Sequence, residues 1–209
     1  MREQEKRLFE GPKIIEVDGN EVRPGVLGEV HFDSGEIFVP SFSKQLRLLK
    51  NRVRKAYKAW IADPLKDYIA GHEDSEYFAY HRLGRQLSED EHARMDAEVL
   101  ESPQGWIGYV VHGLRAKYGS WKQSRFSELV SKYAPVASRY REIEENHPYI
   151  VDGVAKLLGL RPFDPEEIKV SISGLIRDYA RRGLERAGRI ASDIFPVPAY
   201  RPAFAEVEA

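Results

Sequence analysis

The chain has 209 residues, of which 42% are apolar and 31% charged, with a formal net charge of −1. That size suits one ordinary domain, or one domain with an extended arm. There is no cysteine, which excludes disulfides, thiolate metal sites and cysteine nucleophiles. No apolar run approaches the roughly 18 residues a membrane span needs. The charged start, Met1-Arg2-Glu3-Gln4-Glu5-Lys6, lacks the apolar stretch of a secretory signal. Asparagine is scarce and arginine outnumbers lysine, a pattern that fits a hot-living source and equally fits drift in a GC-rich genome.

Residues 1–40 read as an extended arm with two short hairpins. Ile14-Ile15-Glu16-Val17 and Glu21-Val22-Arg23 flank Asp18-Gly19-Asn20, while Val30-His31-Phe32 and Glu36-Ile37-Phe38-Val39 flank Asp33-Ser34-Gly35. Asp-Gly and Gly supply the positive φ that tight turns require. Isolated hairpins are marginal, so this arm needs a neighbouring surface. Residues 41–195 then read as a compact helical body, and the class is mainly α. Ser43 is the expected N-cap of a helix to about Ala62, with Leu46, Leu49, Val53, Ala56 and Trp60 on its apolar face. Asp63-Pro64 ends or restarts it.

Ser88 with Glu91 forms a capping box for a helix to about Leu100. Ser102-Pro103 opens a segment to about Lys117, and another helix follows Gly119-Ser120 as far as Tyr133, with a break or kink at Pro135. His147-Pro148 and Gly159 bracket a short helix. Asp164-Pro165-Glu166-Glu167 opens a long one to about Ile194. Its expected buried positions are Ile168, Ile172, Leu175, Tyr179, Leu184, Ala187 and Ile190. Residues 196–209 form an extended proline- and aromatic-rich tail.

Charge comes in blocks. Residues 41–62 hold seven Lys/Arg and no acid, and residues 102–141 hold seven against one, whereas residues 63–101 hold four against eleven. Lys44, Arg47, Arg54, Lys55 and Lys58 gather opposite the apolar face of the first predicted helix, with Lys50 and Arg52 on its flanks. A solvated helix face usually mixes signs, because i,i+4 pairs help it. An all-cationic face points to a polyanion, or to the acidic block that follows it in this or a neighbouring chain. A helix of about 20 residues is about 30 Å long and lies beside roughly 17 phosphates of duplex DNA. Seven cations cannot neutralise those, so Arg115, Lys117, Lys122 and Arg125 in the second block complete the candidate nucleic-acid surface. The aromatics Phe126, Tyr133 and Tyr140, spaced every seven residues beside Leu129 and Val136, read as core.

No motif of nucleophilic or phosphate-loop chemistry is present, and the six histidines lack His-Glu-x-x-His spacing. His72-Glu73-Asp74, and Glu91-His92 with Asp96, carry donors for a metal but read as acid-rich surface. Neither a cofactor nor a small-molecule substrate is expected.

Lys117-Tyr118-Gly119-Ser120-Trp121-Lys122, followed by Phe126, resembles a segment of the major capsid proteins of filamentous double-stranded DNA viruses of hyperthermophilic archaea. The resemblance implies an extended arm, a helical body, and capsid dimers that wrap linear A-form double-stranded DNA without sequence specificity. It also implies a filament built with itself or a paralogous capsid protein, location in the virion, and a viral envelope in one branch. The length and the hairpins depart from the rod-shaped members. A structural nucleocapsid protein is therefore the expected function. The alternatives are a cellular helical DNA-binding adaptor and a metal-dependent nucleic-acid hydrolase, the latter resting on His92 and Asp96.

Overall fold

A computed structural model describes residues 11–18, 27–103 and 105–194, with backbone alone for 184–194. The architecture is mainly α, with a small N-terminal sheet: strands β1 (Lys13–Val17), β2 (Glu29–His31) and β3 (Glu36–Pro40), then helices α1 (Ser43–Arg47), α2 (Asn51–Tyr57), α3 (Asp63–Leu83), α4 (Glu89–Leu100), α5 (Trp106–Tyr118), α6 (Trp121–Val130), α7 (Val136–Asn146), α8 (Pro148–Leu157) and α9 (Pro165–Ile194). The predicted proline- and aromatic-rich tail lies outside the described residues, as do the side chains of Leu184, Ala187 and Ile190.

The second predicted hairpin forms: β2 and β3 pair antiparallel, with His31 opposite Glu36, and Gly35 takes φ 67° in the turn between them. The far half of the first predicted hairpin lies outside the described residues. What is described pairs β1 differently, in parallel with the central strand β3, from Lys13 opposite Glu36 to Val17 opposite Pro40. Parallel pairing needs a long connection, and residues 18–35 provide it. The arm finds the surface it needs on α3. Ile37 and Val39 are fully buried and belong to one cluster with Tyr57, Ile61, Leu65, Ile107, Val154 and Ile172.

The helix predicted from Ser43 to Ala62 is interrupted at residues 48–50. Phe42, not Ser43, occupies the N-cap position, at φ 50° and with no side-chain cap. Seven cations without an acid leave this stretch no favourable i,i+4 pair, and one of them ends the first turn. Arg54 donates through Nε and Nη2 to the Leu49 carbonyl at 3.1 and 2.8 Å, and through Nη2 to the Arg47 carbonyl at 3.1 Å. Those carbonyls need partners where α1 stops. Leu49 turns inward at 2% exposure while Leu48 is left 61% exposed. The apolar face itself holds: Leu46, Val53, Ala56 and Trp60 all pack on the core.

Asp63-Pro64 restarts the helix, with Pro64 in the first turn of α3. Proline has no N–H for the carbonyl of Trp60, and its ring would crowd that carbonyl in α geometry. The chain widens into a π-helical turn over Lys58–Ala62 and runs on as α3. Further along, local signals and structure agree. Ser88 and Glu91 make the expected capping box, Ser120 and Gln123 make another, and the Asp164 carboxylate accepts the Glu166 N–H at 2.8 Å. Ile168, Ile172 and Leu175 are buried, but Tyr179 is 74% exposed and only stacks on Trp60 at a centroid distance of 6.1 Å. Of the seven-residue aromatic series, Phe126 and Tyr140 pack on the core. Tyr133 instead stays at the surface, where its hydroxyl donates to Asp90.

Helix α5 is gripped closely on two sides. A Cβ added at Gly113 would stand 2.1 Å from the Tyr140 ring, and one at Gly108 would stand 2.4 Å from Tyr68 and Leu100. Backbone approach of this kind requires glycine. Gly113→Ala should therefore lower stability by about 1–3 kcal/mol through overpacking. Gly183→Ala, on the exposed face of α9 with nothing within 4 Å, should raise it by about 0.5–1 kcal/mol through helix propensity. Urea denaturation of both variants checks the pair; a common sign would contradict the packing described here.

Candidate functional site

The ten cations expected at a nucleic-acid surface have different fates. Lys44 pairs with Asp18 at 3.2 Å, and Arg54 is spent on the backbone of the α1–α2 break. Arg47, Lys50, Lys55 and Lys58 are exposed, as is the flanking Arg52, and none has an acidic partner among the described residues. In the second block, Lys117 pairs with Glu144 at 3.2 Å, while Arg125 lies 3.9 Å from Glu89 and over the Trp121 ring. Arg115 and Lys122 line a cavity of about 430 Å³ that also holds His72, Glu73, Glu76, His92 and Asp96. The two basic blocks thus face different features.

Within His72-Glu73-Asp74 and Glu91-His92 with Asp96, read from sequence as acid-rich surface, that cavity takes Glu73 and Asp96 out of solvent. Glu73 is 6% exposed and Asp96 1%. Two helices with donors one turn apart create the cluster: His72 and Glu76 on α3, His92 and Asp96 on α4. Four-residue spacing puts each pair on one face, and the short turn at Gly84 folds α4 back against α3. Helix α5 adds His112 and Arg115, and α6 adds Ser127 and Phe126.

Asp96 is the hub. Its Oδ1 lies 2.7 Å from His72 Nδ1 and accepts the Tyr68 hydroxyl at 3.3 Å; its Oδ2 lies 3.0 Å from His112 Nε2. On the far side of His112, Nδ1 lies 3.2 Å from the buried Ser127 hydroxyl. With Nε2 protonated toward Asp96, His112 Nδ1 accepts the Ser127 proton, and every polar atom here is satisfied. His72 is held the same way at Nδ1, which leaves its Nε2 pointing across to His92 Nε2, 3.0 Å away. A Glu76 carboxylate oxygen completes a trio of donor atoms within 4.8 Å of one another.

Two imidazole nitrogens aimed at each other need something between them. In the metal-free protein that is a proton. Burial alone would lower the His72 pKa, but the adjacent Asp96 charge and its hydrogen bond outweigh burial and raise it to about 9. His92 moves the other way, to about 4, through burial and then the His72 charge. The His72 imidazolium therefore donates to both Asp96 and His92. Burial, opposed by the nearby His72 charge, pushes Glu73 up to about 7. Burial also works against the Arg115 charge.

A divalent cation fits the same place. Tetrahedral zinc with Zn–N near 2.05 Å holds two nitrogens about 3.3 Å apart, so the rings need separate by only a few tenths of an ångström. Two histidines and a carboxylate form a donor set common in catalytic zinc sites, with the fourth position open. The carboxylate behind a metal-ligating histidine fixes its tautomer and its aim, and Asp96 stands in that position behind His72. The N-terminal arm closes one wall through Leu27, Gly28, Val30 and Phe32.

Sequence spacing hid most of this. His112 and Ser127 lie on separate elements from the His-Glu-Asp tripeptide and carry no local signal, whereas Tyr68 sits one turn before His72 on the same helix. The recurring four-residue step on consecutive helices, His72 to Glu76 and His92 to Asp96, was the signal available. No protein-family model, characterised protein or solved structure matches this chain.

Removing the hub should be costly. Asp96→Ala leaves His72 and His112 without their acceptor and should destabilise the metal-free protein by about 3–5 kcal/mol, against about 1–3 kcal/mol for Ser127→Ala, which orphans one histidine nitrogen. Equal urea midpoints for Asp96→Ala and the wild type would show that the network carries no such weight.

Proposed function

We propose that this chain binds a divalent transition metal between His72, His92 and Glu76 and uses it for hydrolytic chemistry in the adjoining cavity. The observation that carries the proposal is the 3.0 Å approach of two Nε2 atoms, one of them aimed by a buried carboxylate. A cation with three protein ligands keeps a position for water and brings that water's pKa toward 7. In hydrolysis the water's hydroxyl goes to the electrophilic centre and its proton to the leaving group. Around that position the chain supplies Arg115 and Lys122 as positive groups, Glu73 as a carboxyl group, and Phe32 and Phe126 as apolar walls. The unmatched His-x-x-x-Glu spacing is no obstacle, because ligand geometry is set in space.

A second reading rests on a different observation. The exposed cations Arg47, Lys50, Arg52, Lys55 and Lys58 have no acidic partners among the described residues. They suit the phosphate backbone of double-stranded DNA, contacted without base readout. A coat protein of a filamentous virion, paired with itself or a paralogue, would use such a face. The broken α1–α2 segment and the internal pairing of Lys44, Arg54 and Lys117 support it less well than an unbroken rod would. The metal site therefore ranks first.

Cobalt(II) titrated into the full chain should bind at one equivalent with a visible tetrahedral absorption band. His72→Ala or His92→Ala should abolish the band, and Asp96→Asn should weaken affinity by about 10–100-fold. A wild-type chain that takes up no cobalt, zinc or manganese would end the proposal. For the second reading, duplex DNA binding should fall steeply with salt, and each of Lys55→Gln and Lys58→Gln should reduce the slope of log K against log salt by about 1. Slopes unchanged in both variants would remove this face from any nucleic-acid contact.

A further inference from the structure

Arg115 feels the Asp96 and Glu73 carboxyl groups at a distance, but neither meets its guanidinium directly. It sits one turn after His112 on α5, half-buried, and no ion pair or hydrogen bond from its guanidinium is found among the described residues. Two buried carboxyl groups share the cavity with it, Glu73 and Asp96; Asp96 has both oxygens committed to His72, His112 and Tyr68. A guanidinium stays charged in any protein. Removed from bulk water, it gains most from a bidentate oxyanion. Lys122, on the next helix, lines the same cavity and has no acidic partner among the described residues.

From this arrangement we infer that the cavity takes a phosphoryl group, gripped by Arg115, assisted by Lys122, and presented to the His72–His92–Glu76 position. The inference rests on the metal reading above and adds its substrate class. A phosphoryl group has enough oxygens to meet a metal, a guanidinium and an ammonium together, whereas a carboxylate has two. At about 430 Å³ the space also exceeds what a carboxylate alone would fill. Leu27, Phe32 and Phe126 give the cavity an apolar side, beside the polar Glu29, Gln86 and Gln123, and that side suits a phosphate ester with a flat apolar or aromatic substituent. Arg115 is thus a binding residue, distinct from the metal ligands. It was assigned to a DNA-facing surface by sequence alone, and the fold redirects it inward.

Phenylphosphonate, which cannot be hydrolysed at its P–C bond, is a suitable probe. Titrated into the cobalt-loaded full chain, it should bind at one equivalent and shift the cobalt absorption band. Arg115→Gln should weaken it by about 10–100-fold, the loss of a charged hydrogen-bonding partner, with cobalt affinity unchanged. Arg115→Lys should recover part of the loss, and Lys122→Ala, on the cavity rim, should give a smaller loss. Benzoate should bind more weakly than phenylphosphonate. Phenylphosphonate affinities within twofold across wild type, Arg115→Gln and Lys122→Ala, all carrying cobalt, would overturn the phosphoryl assignment while leaving the metal in place. Benzoate binding as tightly as phenylphosphonate would overturn it too. Arg115-dependent phenylphosphonate binding by a chain that takes no cobalt would keep the oxyanion site and overturn the metal. Should Arg115→Gln fail to fold, Arg115→Lys and Lys122→Ala carry the same comparison.

Discussion

A single buried charge organises the part of this protein where chemistry is concentrated. Asp96 lies at 1% exposure between three helices, and its pKa is held well below the usual carboxylate range. Burial pushes against that charge, but the His72 charge and the hydrogen bonds from His112 and His72 outweigh it. Such a group is tolerated only when its oxygens are met at good geometry. Helix α3 must therefore bring Tyr68 and His72 to it, and α5 must bring His112, with little freedom in register. A wholly apolar cluster in place of Asp96, His72, His112 and Tyr68 would pack this space without burying a charge. It would not aim an imidazole at His92. The cost of burying Asp96 is intelligible as the means of orienting an imidazole.

The N-terminal sheet belongs to the same construction. Gly28, just before β2, sits so close to α3 that a Cβ would fall 2.7 Å from Ile69 and 2.8 Å from Glu73. The arm thus presses on the face of α3 that carries Glu73 and His72, while Ile37 and Val39 anchor β3 in the core. An arm docked in this way is more than an appendage. Its residues 27–32 decide how wide the cavity stands and how much water reaches the histidines. Lys66 of α3 ties back to Glu16 of β1 at 2.7 Å, with the lysine pKa raised chiefly by that hydrogen bond. An ion pair this exposed adds little stability. Its use is to fix the lateral position of β1.

What was legible in the sequence was local. Ser88 with Glu91 and Asp164-Pro165 declare helix starts because the capping partners lie within one turn, and the β2–β3 hairpin is visible for the same reason. The parallel pairing of β1 with β3 was not legible, since it depends on where the intervening chain goes. Nor was the π turn at Lys58–Ala62: proline signals trouble for a helix, but whether the chain breaks or widens is decided by the burial of Tyr57, Ile61 and Leu65 on both sides. The histidine site lay deeper still. Its two donor pairs, His72 with Glu76 and His92 with Asp96, sit on separate helices, and the turn at Gly84 brings them together. Read along the chain, His72-Glu73-Asp74 is indistinguishable from a solvated acidic patch.

The basic blocks show the complementary limit. Counting charges identifies an excess of cations, but it does not say which of them the fold will consume. Arg54 and Lys55 are neighbours, yet one guanidinium closes the carbonyls of α1 and the other side chain faces water without an acid. Arg115 and Lys117 are two residues apart on one helix, about 200° around its axis at 100° per residue. Lys117 meets Glu144, whereas Arg115 is turned into the cavity. Two residues of helical phase thus separate a surface ion pair from a candidate binding group. A charge block is evidence of a partner only after the fold has subtracted the cations it uses itself. In residues 102–141 that subtraction leaves Arg115 and Lys122, among other cations, and these two line the cavity beside the His72–His92 pair.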